Sequence, residues 1–159
     1  MEELNKLKNV FECIEIYNAG IPKFQRNFTR DGIISAILMD DAKMLKNQLR
    51  FCALKQGIKK DSKTGEEPGK IFHEYPGVIF EKRENLSTQF NACDTTALFI
   101  IGHKKYLELT NDKTLLENQK ENIQKAAEYI KKHLKDGLFT ENPKFAGAKK
   151  FALKVTYWK

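Results

Sequence analysis

Helices that are apolar on every side alternate in this chain with helices apolar along one stripe, and that alternation constrains the fold more than any other feature. Residues 33–39 read Ile33-Ile34-Ser35-Ala36-Ile37-Leu38-Met39 after Asp31-Gly32, and residues 95–101, after Asp94, read Thr95-Thr96-Ala97-Leu98-Phe99-Ile100-Ile101. A helix of that kind is expected to be buried. The segment opened by Asp40-Asp41 instead carries Met44, Leu45, Leu49, Cys52 and Ala53 on one face and Lys43, Lys46, Asn47 and Arg50 on the other. Residues 113–135 place Leu116, Ile123, Ala127, Ile130 and Leu134 on one stripe, with a Thr114-to-Glu117 capping box and Gly137 as the stop. Residues 2–17 add Leu4, Leu7, Phe11 and Ile14 at helical spacing, ended by Asn18-Ala19-Gly20, and residues 21–28, with Pro22, read as a loop. The order is buried helix, exposed helix, long loop, buried helix, exposed helix. An inner ring wrapped by an outer ring satisfies it, so the expected fold is all-α, a partial (α/α)6 toroid of helical hairpins in which residues 1–159 form one domain.

Composition narrows the function classes. The net charge of +7 invites a nucleic-acid reading, yet only four of the 28 basic residues are Arg (Arg26, Arg30, Arg50 and Arg83), and the Lys residues are scattered among Asp and Glu. Nucleotide-reading surfaces group Arg with aromatics, so no nucleic-acid partner is expected. No apolar run approaches the ~18 residues that span a bilayer, and no basic leader opens the chain, so neither a membrane partner nor export is expected and the predicted location is cytoplasmic. Cys13, Cys52 and Cys93 are odd in number and far apart, which fits buried thiols better than a disulfide framework or a zinc site. His73, His103 and His133 stand near no Cys. No metal is expected.

Parallel inner helices would bring Asp31 and Asp94 to the same rim, where a site would form. An Asp at a helix start is ordinarily a cap for backbone N–H groups. Two features favour more than that: Arg30 stands beside Asp31, and the long connection 57–90 carries Lys70-Ile71-Phe72-His73-Glu74-Tyr75. Sugars need this mixture, because charged groups hold paired hydroxyls while aromatic rings cover the apolar face of a pyranose.

Four blocks in order, Ala19-Gly20-Ile21-Pro22, Phe28-Thr29-Arg30-Asp31, Glu67-Pro68-Gly69-Lys70-Ile71-Phe72-His73-Glu74 and Asp94-Thr95-Thr96-Ala97-Leu98-Phe99, with Tyr157-Trp158 at the end, carry a family resemblance. They resemble the first half of the catalytic barrel of bacterial and archaeal amylo-α-1,6-glucosidase-like glycogen-debranching proteins, with the glucoamylases and trehalases as more distant relatives. The resemblance implies a barrel of six helical hairpins, inverting hydrolysis of α-glucosidic bonds in α-glucans or α-glucosides, and no organic cofactor. Carried over residue by residue, it puts Arg30 and Asp31 against hydroxyls of the non-reducing-end sugar, His73 and Glu74 in the same pocket, Asp94 beside them, and Trp158 as a stacking wall. His103 and His133, among Lys residues, are expected at the surface.

The resemblance also implies where this chain departs. Inverting glycosidases need an acid and a base ~6.5–9.5 Å apart. In the resembling proteins the acid directly follows an aromatic-Trp segment like Tyr157-Trp158 and the base comes later, so both are expected beyond Lys159. Twelve helices of ~14 residues with ~6-residue connections need about 240 residues, so 159 supply an N-terminal part of such a barrel. The expectation is a sugar-holding fragment, catalytically silent alone, that self-associates or meets a complementary half. The alternative is a non-enzymatic helical module that binds a sugar or a protein partner.

Overall fold

A computed structural model describes residues 2–154; Tyr157 and Trp158, the expected stacking wall, lie outside the described residues. Helix begins as expected but stops early, since α1 spans only Glu2–Asn5. Two strands follow, β1 (Lys8–Phe11) and β2 (Ile14–Tyr17), paired antiparallel with Phe11 opposite Ile14. The predicted helix over 2–17 is therefore a hairpin. Its cause is legible afterwards: Glu12 and Cys13 both take positive φ, as a two-residue hairpin turn requires, and Ile14-Glu15-Ile16-Tyr17 alternates with Ile14 and Ile16 buried. Leu4, Leu7, Phe11 and Ile14 satisfy a helical spacing that the stronger two-residue period overrides.

Strand β3 (Asn27–Phe28) runs directly into α2 (Thr29–Leu38), and α3 (Ala42–Leu54) returns beside it. Asp41 caps α3, its side chain accepting from Met44 N at 2.9 Å. Helix α3 has the one-faced burial expected of it, with Met44, Leu45, Leu49 and Cys52 inside. Helix α2 does not have the all-round burial expected. Ile33 and Ala36 are sealed, but Leu38 is 79% exposed and Ile34 and Met39 are also exposed, because α3 and the later helix Thr95–Thr110 cover only one side.

The long connection is partly interior. Ile71 and Phe72 are fully buried, Phe72 stacking edge-on against Phe51 at 5.4 Å. Short strands punctuate it: β4 (Glu74–Tyr75) pairs with β3, and β5 (Ile79–Phe80) pairs with β6 (Leu86–Ser87). Helix α4 (Thr95–Thr110) ends at Asn111 in the left-handed region. Two contacts fix its direction relative to α2. Arg30 at the start of α2 meets Asp94 at the start of α4, and Asp40 just past α2 meets Lys105 at 3.1 Å further along α4, so the two run parallel.

The predicted single helix over 113–135 is two, α5 (Thr114–Asn118) and α6 (Lys120–Lys132), broken at Gln119. The capping box is absent: Asp112 accepts from the Thr114 amide at 2.9 Å and its hydroxyl at 2.7 Å. Asp136-Gly137 then turns a small hairpin, β7 (Leu134–Lys135) with β8 (Leu138–Phe139), both turn residues having positive φ.

The all-α expectation, and with it the partial toroid, is overturned. Helix takes 44% of the described chain and strand 16%, in four small antiparallel sheets, making the fold mixed α/β. Six of the eight strands among the described residues have only two residues, too few to show a period in sequence. No helix among the described residues is long and apolar enough to cross a membrane.

Candidate functional site

The site is assembled where β3 becomes α2. Strand pairing sets Glu74 opposite Phe28, and the Thr29 amide donates to the His73 carbonyl at 3.0 Å. The His73 ring packs edge-on to Phe28 with centroids 5.2 Å apart. From the other side, the Thr95 hydroxyl donates to the Ile71 carbonyl at 2.9 Å, and the Thr96 hydroxyl accepts from the Ile71 amide at 3.0 Å. Side chains at the head of α4 thereby grip the backbone just before His73 and Glu74. One segment is held against both helix starts.

Two ion pairs result. Arg30 Nε donates to Asp94 Oδ2 at 2.5 Å across 64 residues of sequence, and Arg26 Nε donates to Glu74 Oε2 at 2.7 Å across 48. The Thr88 hydroxyl donates to the other oxygen of Glu74. Glu74 and Arg30 are buried, whereas about a third of the Asp94 side chain (36%) is exposed. Asp94 makes no side-chain cap bond to α4 although it stands at the cap position. Its carboxylate serves the ion pair instead. The second oxygen of Asp94 and Nδ1 of His73 are buried with no hydrogen-bond partner among the described residues. Burial lowers the His73 pKa from its ordinary value; Glu74, Asp94 and Asp31 oppose this, and Arg30 adds to it. The imidazole is neutral at pH 7.

The fold thus brings Arg30, His73, Glu74 and Asp94 together. Asp31, in the first turn of α2, lines a different cleft of about 180 Å³ with Tyr17, Asn18 and Ser35 among others, though its charge still reaches His73. Sequence reasoning did not single out Arg26 or Thr88, which fix Glu74; the Arg–Glu pairing across β3 and β4 has no local signal. The expectation of surface positions for His103 and His133 was wrong. His103 Nδ1 donates to the Phe99 carbonyl at 2.8 Å and Nε2 meets the Gln119 carboxamide at 2.9 Å, while His133 is packed among Tyr129, Phe139 and Phe145. Both lie on the inward stripe Leu115, Gln119, Ala126, Tyr129 or the face that meets it, a register one residue away from the stripe read in sequence.

The three cysteines are free, but only Cys52 is fully buried, where desolvation pushes its thiol up to about 12; Cys13 is exposed in the first hairpin turn. Among the described residues no group of three or more His, Cys, Asp or Glu side chains is arranged to hold a metal ion. Chemically, the site offers fixed charge-assisted donors and acceptors and a neutral imidazole. No known family's sequence pattern matches the chain, and no curated protein matches it.

Proposed function

We propose that the cluster at the heads of α2 and α4 holds a glucose-type sugar, as the substrate-binding part of an α-glucosidase or glycogen-debranching type of glycoside hydrolase. One observation carries this reading: residues from separate blocks of the resemblance, Arg30, His73-Glu74 and Asp94, meet at two helix starts, where Asp94 spends its carboxylate on Arg30 rather than on a cap. The partnerless atoms, Asp94 Oδ1 and His73 Nδ1, suit sugar hydroxyls, which both donate and accept.

Holding differs from cleaving. Glu74 is fixed by Arg26 and Thr88, and Asp94 by Arg30, so each carboxylate already accepts from a charged or hydroxyl donor. An inverting hydrolysis needs one carboxyl to deliver a proton and a second to activate water. The chain is expected to bind a glucose-type ligand weakly and to release no glucose from maltose or isomaltose. Calorimetric titration of the chain with glucose and with 1-deoxynojirimycin, a cationic glucose mimic, tests the reading. It stands if either binds and Asp94→Asn weakens it; turnover of maltose that disappears in Glu74→Gln or Asp94→Asn would overturn the holding-only account.

A second reading, a module that docks another protein surface, is favoured by the exposed Ile34 and Leu38 on α2, Met39 just past its end and Ile101 on α4.

A further inference from the structure

Next to the proposed sugar site lies a second group of buried ionisable side chains that the reading above leaves unused. Lys70 is fully buried, and its ammonium contacts the carboxylate of Glu141, whose side chain is 3% exposed. Glu67, also fully buried, accepts from Lys132 Nζ and meets His133 Nε2, each at 3.1 Å. The ammonium of Lys70 sits 5.9 Å from the Tyr129 ring centre and 5.1 Å from that of Phe151. Each pair leaves polar atoms over. Glu141 Oε2, Glu67 Oε1, Tyr129 Oη and His133 Nδ1 are buried without a hydrogen-bond partner among the described residues.

Stability does not account for this arrangement, since replacing a buried ion pair by well-packed apolar groups is often neutral or stabilising, and a buried carboxylate oxygen with no donor is costly. Position supplies an account. Lys70 belongs to the same gripped segment as His73 and Glu74, and it holds Glu141 from there. Cys93, the residue before Asp94, registers both carboxylates: burial raises its thiol pKa, the charges of Glu141 and Asp94 raise it further, and Arg30 opposes them. Glu141 and Asp94 thus each have one oxygen tied to a cation and one oxygen left over.

We propose that Glu141 is a further sugar-contacting residue of this site, its unpaired Oε2 accepting a ligand hydroxyl, with Lys70 as the positioning residue that holds its other oxygen. The inference rests on the glucose-type reading above. Two carboxylates, each neutralised by its own cation, give an uncharged sugar two acceptors at no net charge.

The test is titration of the full chain with glucose and with 1-deoxynojirimycin, for the parent, for Glu141→Gln, and for the double variant Glu141→Gln/Lys70→Met, which leaves no buried charge unpaired. The expected result is parent-like circular dichroism with binding weakened about tenfold or more, the loss that follows removal of a charge-assisted hydrogen bond. Lys70→Arg, which retains the cation, should bind better than Lys70→Met. The carboxyl 13C resonance of Glu141 in the unmutated chain should also move on saturation with sugar, a readout that needs no variant to fold. Binding by the parent that is unchanged in the folded variants, with a stationary Glu141 resonance, overturns this inference and leaves the sugar reading intact. A parent that binds neither ligand overturns both.

Discussion

At Arg30 a buried guanidinium meets a carboxylate that is one-third open to water, and the balance between those environments sets what a substitution does. Breaking a fully buried pair costs ~3–5 kcal/mol and an exposed one ~0–1, so Arg30→Ala should cost about 1–2 kcal/mol in urea unfolding while abolishing sugar binding. A variant that loses stability but keeps affinity would assign Arg30 to architecture alone. The histidines make a separate prediction. Burial is the first cause lowering both His73 and His103, so each binds a proton less readily folded than unfolded. Below the ordinary value of 6.5 the unfolded chain takes up protons that the folded chain refuses, so their stabilising contribution is full above that pH and fades as pH falls beneath it. Urea midpoints should decline from pH 7 to pH 5, and His103→Gln should flatten the decline. A midpoint independent of pH across that interval would contradict the burial assigned to these rings.

Among the elements, the Glu67-to-Glu74 block shows how closely loop and helix are fitted. Gly69 has a φ of +86°, and a Cβ built there would run into the Lys125 carbonyl of α6. Gly147 has a φ of +78°, with nothing within 4 Å of the same position. Gly147→Ala should therefore cost only the left-handed backbone penalty of ~1–2 kcal/mol. Gly69→Ala should cost more, because backbone must also move, and similar melting temperatures for the two would refute the close packing. What the sequence made legible follows the same division. Helices α3 and α4 were readable because Asp41 and a one-sided apolar face mark the first and an unbroken apolar run after Asp94 marks the second. The first hairpin was not, since Leu4, Leu7, Phe11 and Ile14 mimic a helix and only the Glu12-Cys13 turn and the short alternation from Ile14 to Tyr17 distinguish the two. Arg30, His73, Glu74 and Asp94 were legible as candidates because charged groups mixed with aromatics stand at helix starts and in a long connection. Arg26, Lys70 and Glu141 were not, because their partners lie 48 to 71 residues away and no local pattern records such a pairing.

Across the whole molecule, the parallel α2 and α4 leave large apolar side chains in water, with Leu38 79% and Ile101 53% exposed. Exposed apolar surface favours association, so sedimentation should show a concentration-dependent increase in mass that Leu38→Glu suppresses. A monodisperse monomer at all concentrations would overturn the self-association. The pairings that assemble the site carry a different consequence, one of timing. Contacts spanning 64 and 71 residues, to Asp94 and Glu141, cannot form until more than half of the chain is present, and long closures are slow. The site is thus completed late as the polypeptide folds and is lost when the segments that carry Asp94 or Glu141 let go. A ligand seated there acts as a clasp on the entire chain: at one hundred times its dissociation constant it would add about 2.7 kcal/mol to global stability, felt as much at the first hairpin as at Glu74.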